Sequence, residues 1–330
     1  MDIFDRLRQF DILSHFSDEQ IEQLAGCSSR ARFPKDSTVV QEGDSTKDVY
    51  LVDEGSVDIR RKTPFGPFVF ATLGCGDVFG ETSFVDQSAR SGDVTMGEDS
   101  VLFCISHAAL QMTMERDPRF QLAFYWALWR SLSEKLRRTN ETLVEFILEG
   151  KSPRPSEGSD HPQATEINVG VGTKRDLFRE QKLSNMEINF LATLSKERKY
   201  SPEQHIFRDG DDGEEMFIVL EGKVRISKVL DSGEEALGIL ERGGFFGEMA
   251  LIDGKPRSAD AIAHVDGAVV LAIPRQVLEG ILDMKKVSSM RLLSILCNLV
   301  AKRLREIDTK LVTFYIFRAG SGETLGIPQL

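Results

Sequence analysis

The sequence predicts a mainly β fold with α-helices (α+β), built as two copies of one small antiparallel barrel or double-sheet roll, each followed by a long helix. Three observations carry this expectation. The chain repeats itself at an offset of 167 residues without a gap: Gly43-Asp44 falls on Gly210-Asp211, Glu54-Gly55 on Glu221-Gly222, Phe79-Gly80-Glu81 on Phe246-Gly247-Glu248, Asp86 on Asp253, and Arg90-Ser91 on Arg257-Ser258. A period this long marks a duplicated domain and not a solenoid. Both copies contain short glycine-punctuated runs of alternating apolar residues, "DVYLVDEGSVDIRRK" and "EMFIVLEGKVRISKV", the pattern of antiparallel strands. Both then carry an apolar stripe stepping by three and four residues: Leu122, Tyr125, Trp129, Leu132, Leu136, Thr139, Leu143 and Phe146 in copy one, and Leu293, Leu296, Val300, Leu304, Ile307, Leu311 and Phe314 in copy two. Such stripes describe a packed helix seam.

The elements follow in the same order in each copy. A short helix comes first, over Asp18 to Ala25 and Ser184 to Leu194, with Ser17 placed to cap the first. The paired strands come next, then the Phe-Gly-Glu element, then another strand ("SVLFCIS"; "GAVVLAIP"), then the long helix. Trp126 and Trp129 are expected to pack in the core or the seam, and Arg60-Arg61-Lys62 to form a solvated hairpin end. Between the copies, Gly150 to Asp176 is rich in Pro, Ser and Gly, which suits a mobile linker and no core. The expected boundaries are a first domain at 1–149, a linker at 150–175, a second domain at 176–312 and an aromatic tail at 313–330.

Composition narrows the function. The net charge of −11 and a pI of about 5.1 oppose non-specific binding to nucleic acid or acidic membranes. No apolar run approaches the roughly 18 to 20 residues of a membrane span, and the N-terminus lacks the charged and apolar regions of a secretory signal. Cys27, Cys75, Cys104 and Cys297 are scattered, as are the five histidines. The expectation is a cytoplasmic protein with reduced thiols and no metal site. No clustered nucleophile and base are present, so no enzyme is expected.

The chemistry concentrates in "FFGEMALIDGKPRSADA", Phe245 to Ala261, and its counterpart at Val78 to Asp93. Gly247 admits a close backbone approach. A helix opening at Glu248-Met249-Ala250-Leu251 directs free N–H groups at an anion, and Arg257 adds a two-pronged donor suited to phosphate oxygens. Glu248 would repel a phosphate, so it is expected to accept from a neutral hydroxyl. A phosphate beside a hydroxyl inside an apolar roll describes a nucleotide.

These residues resemble the phosphate-binding cassette of cyclic nucleotide-binding domains, the family of bacterial cyclic-AMP receptor proteins, the regulatory subunits of cyclic-AMP-dependent kinase and cyclic nucleotide-gated channels. Copy two matches through Phe246, Gly247, Glu248, Ala250, Arg257 and Ser258, and copy one through Phe79, Gly80, Glu81, Ser83, Arg90 and Ser91. The resemblance covers nearly the whole chain apart from linker and tail. It implies two jelly-roll-like β-rolls, with Glu81 and Glu248 on a ribose 2′-hydroxyl. Arg90 and Arg257, with the amides near Thr82 and Met249, would then take the cyclic phosphate. Copy one's cassette is the more polar, at Thr82-Ser83 and Gln87-Ser88.

The ligand implied is cyclic AMP, cyclic GMP or both. On the long helices, Thr139-Asn140 occupies a place comparable to the base-contacting residues of the receptor proteins, and Ile307-Asp308 stands in copy two. A carboxylate suits guanine, whose edge donates, better than adenine, whose N1 accepts, although a solvent-facing Asp308 is the slightly favoured expectation. Phe314, Tyr315 and Phe317 are placed either to fold over copy two's base as a lid or to lie permanently in its core.

The 19 residues from Val312 to Leu330 are too few for a helix-turn-helix, so DNA binding is not expected. The docking helix and basic inhibitor segment of kinase regulatory subunits are likewise not expected ahead of the first roll. The leading expectation is a cyclic-nucleotide sensor that signals to a protein partner. A scaffold with degenerate rolls and an inhibitory subunit of an unidentified enzyme are the alternatives. A parallel homodimer or an intramolecular pairing through the long helices is expected, with copy one's seam as the contact.

Overall fold

The computed structural model describes residues 2–148, 164–230, 233–281 and 290–320. Helix α1 (Ile3–Leu7) and helix α2 (Asp18–Gly26) lead the chain. Ser17 caps α2, its side chain accepting from Gln20 N while the Gln20 side chain accepts from Ser17 N, a reciprocal cap that satisfies two otherwise open donors. Eight strands follow: β1 (Ser28–Phe33), β2 (Thr38–Val40), β3 (Val49–Glu54), β4 (Val57–Thr63), β5 (Gly66–Leu73), β6 (Val78–Phe79), β7 (Asp93–Met96) and β8 (Ser100–Ile105). Helix α3 (Glu81–Asp86) interrupts them after β6, and α4 (His107–Arg116) and α5 (Pro118–Leu148) come after β8. The strands form two four-stranded antiparallel sheets, β1-β8-β3-β6 and β2-β7-β4-β5. Between them sit Val52, Val57, Leu73, Phe79, Met96 and Leu102, all buried.

The second roll repeats this plan in longer strands. It holds β9 (Thr165–Glu166), α6 (Val171–Glu180), α7 (Asn185–Leu194), β10 (Lys196–Tyr200), β11 (His205–Phe207), β12 (Glu215–Leu230), β13 (Gly233–Leu240), β14 (Phe245–Phe246), α8 (Met249–Asp253) and β15 (Asp260–Pro274). Strand β12 occupies the positions of β3 and β4 together, and β15 those of β7 and β8, so each runs through where copy one breaks. The β12–β15 ladder shifts register beside Gly222, whose φ is +75°. A Cβ at Gly222 would lie 2.2 Å from the Gly267 carbonyl oxygen, so only glycine fits the bend. The core here is Phe217, Val219, Val224, Phe246, Ala261, Val270 and Ala272. Helices α9 (Arg275–Ile281) and α10 (Met290–Gly320) complete the described chain.

The chain divides into two compact units: Met1–Thr139 with Cys297–Leu330, and Asn140–Leu296. This division differs from consecutive domains at 1–149 and 176–312, because the C-terminal part of α10 packs against the first roll. Most of the expected linker, residues 150–163, lies outside the described residues, and residues 164–175 contain β9 and the start of α6. The aromatic positions assigned to a tail are helical, since α10 continues to Gly320; residues 321–330 lie outside the described residues.

The seam residues Leu122, Trp129, Leu132, Leu136, Leu143, Leu293, Val300 and Leu311 are all buried within a single chain. In the first unit the two long helices meet directly, with Cys297 Sγ 3.4 Å from the Tyr125 carbonyl oxygen. The stripe that suggested a homodimer seam is therefore already covered. Arg60 and Arg61 are also less solvated than expected: Arg60 pairs with Asp58 at 2.7 Å, and Arg61 Nε donates to the Ser91 carbonyl at 2.6 Å. Among the described residues no helix is long and apolar enough to cross a membrane.

Candidate functional site

Each cassette is a strand end, a glycine, a short helix and a returning arginine. In copy one the chain leaves β6 at Phe79 and turns at Gly80, whose φ is +84°, into α3. A Cβ at Gly80 would lie 2.6 Å from both Arg90 Nη1 and the Asp48 carbonyl oxygen. In copy two the turn is Gly247, with φ +76°, where a Cβ would lie 2.7 Å from Arg257 Nη1. Glycine is required at both points by backbone angle and by the guanidinium packed against it.

The two arginines are positioned alike. Arg90 donates from Nη1 to the Gly80 carbonyl at 3.0 Å and from Nη2 to the Asp48 carbonyl at 2.8 Å. Arg257 donates from Nη1 to the Gly247 carbonyl at 2.5 Å and from Nη2 to the Glu215 carbonyl at 2.6 Å. The backbone of each is tied to the Gly-Asp turn that the repeat singled out. Arg90 N donates to Asp44 O and its carbonyl accepts from Gly43 N; Arg257 does the same with Asp211 and Gly210. Aromatic faces lie beside both guanidiniums, Tyr50 at 6.0 Å from Arg90 and Phe207 at 4.3 Å from Arg257.

Arg90 is 4% exposed and Arg257 6%. Neither makes an ion pair among the described residues. Carbonyl oxygens satisfy part of the donor fork but cannot neutralise the charge, and a buried cation without a counter-ion is costly. Burial accordingly pushes the Arg257 guanidinium down to about 10, opposed by Glu248, Glu215 and Asp211. Arg90 is lowered for the same reason.

The cassettes differ at one donor. Arg90 Nε donates to Thr46 Oγ1 at 3.2 Å. The counterpart of Thr46 is Gly213, and Arg257 Nε is buried with no hydrogen-bond partner among the described residues. A Cβ at Gly213 would lie 2.4 Å from the Ala250 Cβ. Copy two thus keeps an open donor where copy one has closed it.

The two glutamates are also buried, Glu81 at 1% and Glu248 at 2% exposure. Glu81 forms a short ion pair with Lys135 of α5, which also donates to the Val78 carbonyl. Ser83 is buried and donates to the Ala89 carbonyl at 3.3 Å. Met249 and Ala250 are buried, while Thr82, Ser91 and Ser258 are half-buried at the cassette edges.

The residues assigned to base contacts scatter. Thr139 and Asn140 are buried in α5. Asp308 belongs to the first unit and is 5% exposed, which corrects both its assignment to copy two and its expected exposure to solvent. Burial lifts its carboxyl to about 7. Tyr315 stacks on Phe68 of β5, with ring centroids 4.1 Å apart, and Phe317 is 75% exposed. Both belong to the first unit, and Tyr315 lies against the first roll.

Sequence reasoning missed Lys135 and Arg305. Arg305 approaches cassette one with Nε 2.5 Å from Asp86 Oδ2 and Nη2 3.2 Å from Ser83 Oγ. Lys135 had a weak signal, a lysine at the matching position Lys302. Arg305 had none, since its role depends on which roll α10 packs against.

A sequence model of the cyclic nucleotide-binding domain matches residues 30–117 and again 197–285. Among curated relatives, the cGMP-dependent protein kinase of Caenorhabditis briggsae is 24% identical over 279 residues, 83% of this chain and 30% of the kinase. The cAMP-dependent protein kinase regulatory subunit of Colletotrichum orbiculare is 25% identical over 264 residues, 77% of this chain and 56% of that subunit. The chain therefore spans about a third of the first and about half of the second. Among solved structures, the regulatory domain of Toxoplasma gondii PKA, crystallised with cAMP, is 17% identical, with 84% of this chain and 90% of that chain covered and a TM-score of 0.33.

Proposed function

This chain belongs to the cyclic nucleotide-binding domain family, and from that premise we propose that it is a regulatory sensor of cyclic AMP or cyclic GMP. The observation that carries the proposal is the pair of buried arginines, Arg90 and Arg257, held against a glycine turn with no ion-pair partner among the described residues. A buried guanidinium of this kind is stabilised by an incoming anion, and a planar fork matches two oxygens of one phosphate. Glu248, buried beside it at the start of α8, accepts from the ribose 2′-hydroxyl. The apolar roll behind the cassette encloses the sugar and base. Cassette two holds the more open donor set through Arg257 Nε.

Signal output follows from ordering. A ligand that bridges the cassette to the long helices shifts the population of domain arrangements, and a protein partner reads that shift. The relatives named as kinases and as a kinase regulatory subunit support a regulatory role of this type.

Calorimetric titration of the full chain with cyclic AMP and cyclic GMP tests the proposal. Saturable binding of at least one is expected. Arg257→Ala is expected to lower affinity at one site by at least about thirtyfold, since it leaves a phosphate charge unmatched in a buried site. No heat with either nucleotide in the parent protein, or undiminished affinity in the variant, would overturn it.

A further inference from the structure

The two segments that hold the phosphate arginine differ in charge between the copies. Segment 43–50 aligns with 210–217, and 79–91 with 246–258. Charge changes at three positions only: Ser45 stands against Asp212, Lys47 against Glu214, and Ser88 against Lys255. Copy one is therefore more positive than copy two by two charges over these segments, and the reversal at Lys47 accounts for it. Each copy also receives two cations from elsewhere in its own unit, each paired with a carboxylate. Lys135 meets Glu81 and Arg305 meets Asp86 in copy one; Arg275 meets Glu214 and Arg198 meets Glu215 in copy two. The difference of two charges survives this pairing.

Lys47 stands where that charge acts on the cassette. Its chain neighbours both accept from the Arg90 fork, Thr46 through Oγ1 and Asp48 through its carbonyl. Lys47 itself is half-buried, and its Nζ donates to the carbonyl of Ser88, two residues before Arg90. It makes no ion pair among the described residues. Burial and the nearby Arg90 push its ammonium below the usual lysine range, with Asp86 opposing. Two cations thus share one loop at a cost that an anion of matching charge relieves. In copy two the corresponding place belongs to Glu214, whose carboxylate lies 3.0 Å from Arg275, and Lys255 is exposed to water, which screens it.

We propose that copy one takes a nucleoside phosphomonoester in preference to a cyclic phosphodiester, with Lys47 supplying the charge that copy two lacks. A cyclic phosphate is a monoanion. A phosphomonoester carries about −1.5 to −2 at neutral pH and offers three acceptor oxygens. The planar fork of Arg90 takes two oxygens of one phosphate, and an ammonium adds a point charge without a second fork's geometric demand. This inference rests on the reading of the cassettes as nucleotide sites; it leaves the cyclic nucleotide to copy two and assigns a different phosphate to copy one.

Calorimetric titration of the full chain with 5′-GMP, 5′-AMP and their 3′,5′-cyclic counterparts tests it. Arg257→Ala disables copy two and so isolates copy one. In that variant at least one monoester is expected to bind about tenfold or more tightly than the cyclic nucleotide of the same base, the scale of one added contact to a charged group. Lys47→Glu, which installs copy two's residue, is expected to remove the preference by weakening the monoester more than the diester. If cyclic nucleotides bind the parent protein but copy one prefers no monoester, this inference is wrong and the sensor reading survives. An unchanged preference in Lys47→Glu overturns the role of Lys47. If none of the four nucleotides binds the parent protein, the sensor reading fails and this inference fails with it. Should Lys47→Glu not fold, Lys47→Gln removes the charge alone and is read in the same way.

Discussion

Arg305 Nε lies 2.5 Å from Asp86 Oδ2, tying the C-terminal helix to the end of cassette one's own helix. The Asp86 side chain is almost fully buried and the guanidinium about one-fifth exposed, so solvent screens the pair only in part. A second contact, to Ser83 Oγ, reaches the first turn of the cassette helix. Through these two contacts Arg305 links α10 directly to the cassette helix.

Replacing Arg305 with Met uncouples them. Asp86 then keeps a buried charge without its cation, and the loss is expected to be about 1 to 3 kcal/mol of stability in the unit that contains α10. Hydrogen exchange should rise across residues 297–320 more than across the β-strands of the same unit. Uniform exchange throughout would mean that the helix is held by its apolar stripe alone.

If Glu81 takes a ribose hydroxyl as proposed, its ion pair with Lys135 competes with that role. Replacing Lys135 with Met is expected to strengthen nucleotide binding at cassette one several-fold, because Glu81 is freed to accept from a hydroxyl. The folded state is expected to lose about 2 to 4 kcal/mol at neutral pH, since a nearly inaccessible carboxylate loses its partner. Weaker binding at cassette one in this variant would show that the ammonium itself contacts the ligand.

Asp308 makes stability depend on pH. Burial lifts its carboxyl from 3.8 to about 7, with Arg61, Lys135 and Arg305 opposing the rise and Glu81 adding to it. Between about pH 4 and about pH 7 the folded chain holds a proton there that the unfolded chain has lost. Stability from this group therefore falls as pH rises through that window and levels off above it. Asp308→Asn is expected to remove that slope, gaining on the parent protein at about pH 8 relative to about pH 5 in denaturant titrations.

Leu132 sits in the seam of α5 with no exposed surface. Leu132→Asp is expected to cost more than about 3 kcal/mol, from a buried charge and lost packing. It should not convert a dimer to monomers, since the seam is filled within one chain. Light scattering at matched concentrations, with thermal unfolding, separates loss of stability from loss of association.

Much of this protein could be read in one dimension. The 167-residue repeat, the glycine turns at Gly80 and Gly247 and the arginines ten residues beyond them are encoded locally. A positive φ and a close guanidinium permit little but glycine there. Strand alternation and the three-four stripes likewise follow from the periods of strand and helix, so the two rolls and two long helices were legible. What the tertiary structure decided is pairing across long separations. A stripe states that a helix has an apolar face and leaves open which surface covers it. Thus α10 packs part of its length on the first roll, bringing Arg305 to Asp86, Tyr315 to Phe68 and Asp308 into copy one's field. The ion pair between Lys135 and Glu81, and the open donor that Gly213 leaves on Arg257, also arise only where distant segments meet. Their energetics depend on burial, which no single position along the chain carries by itself.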